Sequence, residues 1–174
     1  KSTEFGIEYL GKNINSTLSY FDTESTNAIS YSHKGPGPYD YSYFNTAIVE
    51  IKGYEFTLLR KFIDSKLSGS YVIQDIDTSE STRYRKRAKH YGNLTFNKDM
   101  FDWDINIHLK SSGTRDDNNK LSSYSKLDFN ASKPLGDKYL VSFSVNNITD
   151  KDYQTTYGFN VPERSYYLTI SYQP

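Results

Sequence analysis

From Phe101 to Lys110 the chain reads FDWDINIHLK, and its apolar residues fall on every second position. Trp103, Ile105, Ile107 and Leu109 share one side; Asp102, Asp104, Asn106 and His108 share the other. The same period recurs in YLVSFSVNN, where Val141, Phe143 and Val145 oppose Ser142, Ser144 and Asn146. In SYSKLDFNAS, Leu127, Phe129 and Ala131 oppose Lys126, Asp128 and Asn130; in EFGIEY, Phe5, Ile7 and Tyr9 oppose Glu4, Gly6 and Glu8. A period of two places successive side chains on opposite faces of a strand, so each segment has one apolar and one strongly polar face. Nine strands are predicted, at about 2–10, 13–23, 46–60, 66–77, 88–97, 102–110, 123–132, 139–148 and 164–173. The third changes phase near Gly53: Val49 and Ile51 precede it, and Tyr54, Phe56 and Leu58 follow. A bulge at Gly53 is expected there.

The connections alternate. LGKN (10–13), KFIDSK (61–66), NKDMF (97–101) and KPLGDK (133–138) are short. Those at about 24–45, 78–87, 111–122 and 149–163 are long and polar. Short turns at one end of a meander and long loops at the other are the pattern of an outer-membrane β-barrel, whose strands need about 9–11 residues to cross the bilayer. Tyr9, Tyr71, Tyr91, Tyr124, Tyr139, Tyr166 and Tyr172 fall near strand ends, as interfacial girdles require. The fold class expected is all-β: an antiparallel up-and-down meander of about nine strands forming a partial transmembrane β-barrel wall. Its rival is a soluble β-rich binding module, a sandwich with its apolar faces turned inward.

Composition sharpens this. Apolar residues make up 36% of the 174 residues, with a mean hydropathy of −0.74. That is low for a closed core, yet 16% aromatics and 17 Tyr are not the composition of a disordered chain. Lys+Arg and Asp+Glu both number 21, so no net charge points to nucleic acid. There is no Cys, and no apolar run approaches the roughly 18 residues of a membrane helix.

Four stretches carry a resemblance. NNITDKDYQTTYGFNVPERSYYLTISY (146–172) resembles the C-terminal signature of TonB-dependent outer-membrane receptors: a variant of N-L-x-D-K-x-Y, a loop, an Arg and the last strand. STEFGIEY (2–9) resembles the family's Ser-x-x-x-E-x-G-x-x-Y opening, with Glu4 and Gly6 in place. IKGYEFTL (51–58) resembles I-x-G-x-E, with Gly53 and Glu55 in place. RAKHYGNLTF (87–96) resembles R-P-x-H, with Ala88 where proline is common. The style is that of the cobalamin, catecholate-siderophore and colicin receptors. The resemblance implies a cell outer-membrane transporter that imports a ferric-siderophore, or cobalamin or haem, with energy from TonB. TonB would act through a plug domain that this sequence does not contain. Residues 1–174 are then expected to be a C-terminal segment of the barrel. A passive or adhesive outer-membrane barrel is the alternative. The family usually ends on an aromatic, and Pro174 departs from that pattern.

Candidate chemistry is sparse. His33, His90 and His108 lack metal-ligand spacing, and Asp116-Asp117-Asn118-Asn119 lacks the Gly and closing Glu of a calcium loop. No catalytic constellation and no cofactor motif is found, so no enzyme activity is expected. The candidate ligand-binding residues lie in outer loops. YSHKGPGPYDYSYF offers Tyr31, His33, Tyr39, Tyr41, Tyr43 and Phe44 as an aromatic surface. RYRKR offers Arg83, Arg85 and Arg87 for an anionic ligand or for lipopolysaccharide phosphates. Outer-membrane lipid is the other expected partner.

Overall fold

The computed structural model describes residues 1–33, 36–37, 39–78, 87–117 and 119–172. The strands are β1 (Ser2–Leu10), β2 (Ile14–His33), β3 (Tyr41–Lys61), β4 (Ser65–Thr78), β5 (His90–Met100), β6 (Trp103–Ser112), β7 (Arg115–Asp117), β8 (Asn119–Leu121), β9 (Tyr124–Leu135), β10 (Tyr139–Asn146), β11 (Gln154–Thr156), β12 (Phe159–Asn160) and β13 (Ser165–Tyr172). Nine of them form a single antiparallel sheet in the order β1-β2-β3-β4-β5-β6-β9-β10-β13. The pairs β7-β8 and β11-β12 are small hairpins set into two of the long connections.

One sheet, not two packed layers, is the decisive feature. Because pairing is in register, alternation within each strand becomes two continuous faces. On one face Ile7 lies opposite Leu18, Leu18 opposite Phe56 and Phe56 opposite Tyr71. Further along, Ile107 lies opposite Phe129, Phe129 opposite Val145 and Val145 opposite Tyr166. No described element covers this face: Ile7 is 77% exposed and Leu168 71%. The apolar set read from the sequence, Trp103, Ile105, Ile107, Leu109, Val141, Phe143 and Val145, belongs to it as expected. On the other face Asn97, Asn106, Asn130 and Ser144 stand in one row across four strands. Asn106 donates to Asn97, Asn130 donates to Ser144 at 2.7 Å, and Thr95 and His108 share a hydrogen bond of 2.9 Å.

Three expectations need correction. The first is the bulge at Gly53. β3 passes Gly53 without a break in register, opposite Phe21 on one side and Gln74 on the other. The register shifts fall instead in β2, between Ser25 and Ile29, where Asn27 has φ 59°. Val49 and Ile51 differ from Tyr54, Phe56 and Leu58 because they sit on the polar-side face, where Val49 is buried. Gly53 is needed for another reason: a Cβ there would lie 2.2 Å from the Ile73 carbonyl oxygen.

The second is the long loop at 24–45. β2 and β3 continue through it as a paired ribbon to the His33–Tyr41 pair, at 20 and 21 residues each. That is about twice what a bilayer needs. Long antiparallel partners satisfy each other's backbone groups, so the ribbon continues wherever both chains stay extended. The third concerns the girdles. Tyr9, Tyr71, Tyr139, Tyr166 and Tyr172 are on the apolar face, but Tyr91 and Tyr124 are on the polar one, in line with Val72 and Ser112.

Candidate ligand-facing site

The loop end of the polar face carries a cavity of about 580 Å³. Its floor is strand: Gln74 on β4, Tyr91 and Asn93 on β5, His108, Lys110 and Ser112 on β6, and Tyr124 at the start of β9. Parity puts these side chains on one face, and register brings them level, with Asn93 opposite Lys110 and Ser112 opposite Tyr124. Arg87 and Arg115 close the cavity from the loops. A neighbouring depression of about 360 Å³ is lined by Arg87, Lys89, Arg115 and Lys120, with Asp116 as its acid. The hydrogen bond from Lys89 to Asp75, 2.7 Å, holds that ammonium protonated to a higher pH than usual. Cations and phenols thus dominate the rim, a lining suited to an anionic, ring-bearing ligand.

The rim is held by side chains that reach backbone. Gln74, nearly buried, donates from Nε2 to the Ala88 carbonyl at 2.9 Å and so fixes the entry to β5. Arg115 joins two hairpins. Its guanidinium donates to the carbonyls of Gln154 (2.6 Å) and Thr155 (3.3 Å) on β11 and lies over the Tyr124 ring at 5.4 Å. The Asp117 carboxylate accepts from the Tyr157 amide at 2.9 Å, a second tie between the same hairpins. Tyr124 stacks on Tyr153 at 4.2 Å between ring centres, and burial raises the Tyr153 phenol above its ordinary pKa.

The stretch NNITDK also acquires a physical reading. Asn147, 2% exposed with φ 55°, takes the Asp128 carboxylate on its amide N–H at 2.8 Å. Its side chain donates to the Lys151 carbonyl and accepts from the Lys151 amide, both at 3.0 Å. Asp150 then accepts from the Arg164 amide (2.8 Å) and guanidinium (3.3 Å), which sets the start of β13. The spacing Asn147…Asp150-Lys151…Arg164 is therefore a folding device.

Residues 1–148 match the protein family described as TonB dependent receptor-like, beta-barrel. The chain belongs to this family. TonB-dependent receptors are transporters and receptors of the outer membrane, and the nine-stranded sheet is outer-membrane barrel wall, with its apolar face to lipid and its polar face to the lumen. The vitamin B12 transporter BtuB of Vibrio cholerae is 28% identical over 187 residues; the alignment covers 99% of this chain and 29% of that protein. The chain thus spans less than a third of that relative's length. Among solved structures, the FrpB iron transporter of Neisseria meningitidis superposes with a TM-score of 0.78 at 16% identity, over 98% of this chain and 30% of that one. The siderophore receptor PirA of Acinetobacter baumannii gives 0.77 at 17%, over 98% and 31%. At such identities the structures speak for the fold.

Of the residues singled out by sequence, Arg87 reaches the cavity rim. Arg83 and Arg85 lie outside the described residues, as does Pro174. Tyr31 and His33 belong to the distal β2-β3 ribbon, paired with Tyr43 and Tyr41. Tyr39, Tyr41 and Tyr43 are exposed there, Tyr39 to 91%, apart from the cavity lining. Tyr91, Lys110, Arg115 and Tyr124 were not singled out as ligand-facing. For Tyr91 and Lys110 the signal was present: each shares strand parity with Asn93 or His108. For Arg115 no local pattern marks a residue whose partners lie about forty positions away.

Proposed function

We propose that this wall belongs to an outer-membrane importer of a ferric-siderophore, driven by TonB through a plug that fills the lumen. The observation that carries the ligand class is the cavity of the lumen face, with Lys110, Arg115 and Arg87 around Tyr91 and Tyr124. A negatively charged chelate with aromatic or hydroxamate arms is complementary to that set. Tyr39, Tyr41 and Tyr43, exposed on the distal ribbon, offer a further aromatic surface for first capture of the ligand. The proposal that further strands close the barrel is supported by β1 and β13, each with a neighbour on one side only. It is also supported by the 29% span of the BtuB relative. Cobalamin is the second reading, favoured by the 28% identity to a vitamin B12 transporter.

The test uses the full-length receptor. Lys110→Gln removes a lumen cation without touching the hairpin latch. It should weaken a ferric-catecholate by about tenfold, the worth of one charge-assisted contact, and leave cobalamin binding unchanged. Tight cobalamin binding with no measurable ferric-chelate binding would replace the first reading by the second.

A further inference from the structure

The lipid face holds a feature that ligand transport does not use. Rows of side chains cross it in register. Leu58, Gly69, Leu94 and Leu109 form one row, and Phe56, Tyr71, Gly92 and Ser111 the next toward the loop end. Gly69 and Gly92 leave an apolar groove of about 270 Å³ between Phe56, Leu58, Tyr71, Leu94 and Leu109. The gap is structural: a Cβ on Gly69 would stand 2.6 Å from the Asn93 carbonyl oxygen, and one on Gly92 2.6 Å from that of Ser70.

Toward the turn end the same face becomes cationic. The next row is Arg60, Leu67, Phe96 and Ile107, and the one after it places Lys98 between Ser65 and Ile105. Each row advances about 7 Å along the strands. Arg60 and Lys98 therefore stand one and two rows below the groove, on its own face. The Arg60 guanidinium rests over Phe62 at 5.1 Å, and Lys98 bonds the exposed Asp64 at 3.2 Å. Each contact uses only part of the cation's donor set. Beside them Phe62 and Ile63 are exposed at the turn, Ile63 fully. The outward rows at the opposite end are acidic instead: Asp22, Lys52 and Asp75 lie in one, and Glu24, Glu50 and Asp77 in the next.

We infer that this strip is a site for one glycerophospholipid of the periplasm-facing leaflet. Its phosphate diester sits between Arg60 and Lys98, and one acyl chain runs up into the groove over Gly69 and Gly92. The occupant follows from complementarity. The cations suit a phosphate at headgroup depth, the groove suits a hydrocarbon chain, and the exposed Phe62 and Ile63 suit the interface between them. The inference rests on the outer-membrane barrel and is independent of the imported ligand, so either can fail alone.

The experiment places the full-length receptor in nanodiscs of dioleoylphosphatidylglycerol and dioleoylphosphatidylcholine and counts retained lipids by native mass spectrometry. The receptor should retain phosphatidylglycerol preferentially. R60Q/K98Q should lose that retention by about fivefold per cation removed. Lys52→Gln, at the opposite end, should change nothing, and Leu94→Trp, which fills the groove, should also lower retention. Equal retention by R60Q/K98Q, or an equal loss from Lys52→Gln, overturns the phosphate site. Unchanged retention in Leu94→Trp overturns the acyl groove. Should R60Q/K98Q fail to fold, the unaltered receptor decides. Preferential retention must fall between about 0.1 M and 1 M salt if phosphate pairing drives it, and salt-independent retention refutes the site.

Discussion

At the turn end of the sheet, four connections of a few residues each return one strand into the next. At the loop end, two of the connections contain their own hairpins, Arg115 and Asp117 join those two, and Asn147 and Asp150 tie the second to β9 and to the start of β13. The turn end derives its order mainly from backbone geometry, helped by exposed lysine contacts such as Lys98 with Asp64 and Lys133 with Asp102. Phe101 and Asp102, at φ 54° and 63°, make a two-residue turn between β5 and β6 in a conformation that suits glycine and asparagine. The loop end derives its order from side chains that satisfy distant backbone groups, so it depends on particular residues. The turn end is built from contacts close in sequence or between paired strands, whereas the loop end is held by contacts about forty positions apart.

Three substitutions test that contrast, all in the full-length receptor. Asn147→Ala should have the largest effect. It removes the side-chain partners of the Lys151 carbonyl and amide in a part-buried knot, at about 3 kcal/mol for the two lost bonds. Hydrogen exchange should accelerate over 147–164 and leave 97–106 unchanged; equal acceleration at both ends would erase the distinction. Arg115→Met comes next, at about 2 kcal/mol, because two carbonyls lose a charged donor. Exchange should rise together in 115–121 and 154–160. A rise in the first hairpin alone would show that Asp117 suffices to hold them. The smallest effect is a gain. Phe101→Gly relieves a left-handed phenylalanine and should add about 1 kcal/mol in urea-induced unfolding. A loss would mean that the Phe101 ring, 83% exposed, contributes through lipid.

The sheet was legible in the sequence because every strand pairs with its neighbour in the meander, and parity alone then assigns faces. Trp103 through Leu109 needed no tertiary knowledge. The ribbon over 24–45 was misread because polar residues such as Ser30 and Ser32 look like loop when no face is apolar, while backbone pairing holds without one. The Gly53 bulge was misread for a related reason. A change from apolar to polar along one face imitates a slip in phase, and only the pairing with Gln74 separates the two. The cavity was half legible: its floor obeys parity, but its rim depends on Arg115 meeting β11, and such a meeting leaves no trace in local spacing.

Pairing only between successive strands has a consequence for how such walls change over time. Removing one strand from the middle would reverse the direction of every later one and put short turns where long loops belong. Removing two adjacent strands with their shared turn leaves direction, face assignment and the sidedness of all remaining connections intact. The smallest heritable step in the width of this wall is therefore a hairpin. β5 with β6, closed by Phe101 and Asp102, is the kind of unit that such a step would copy or delete.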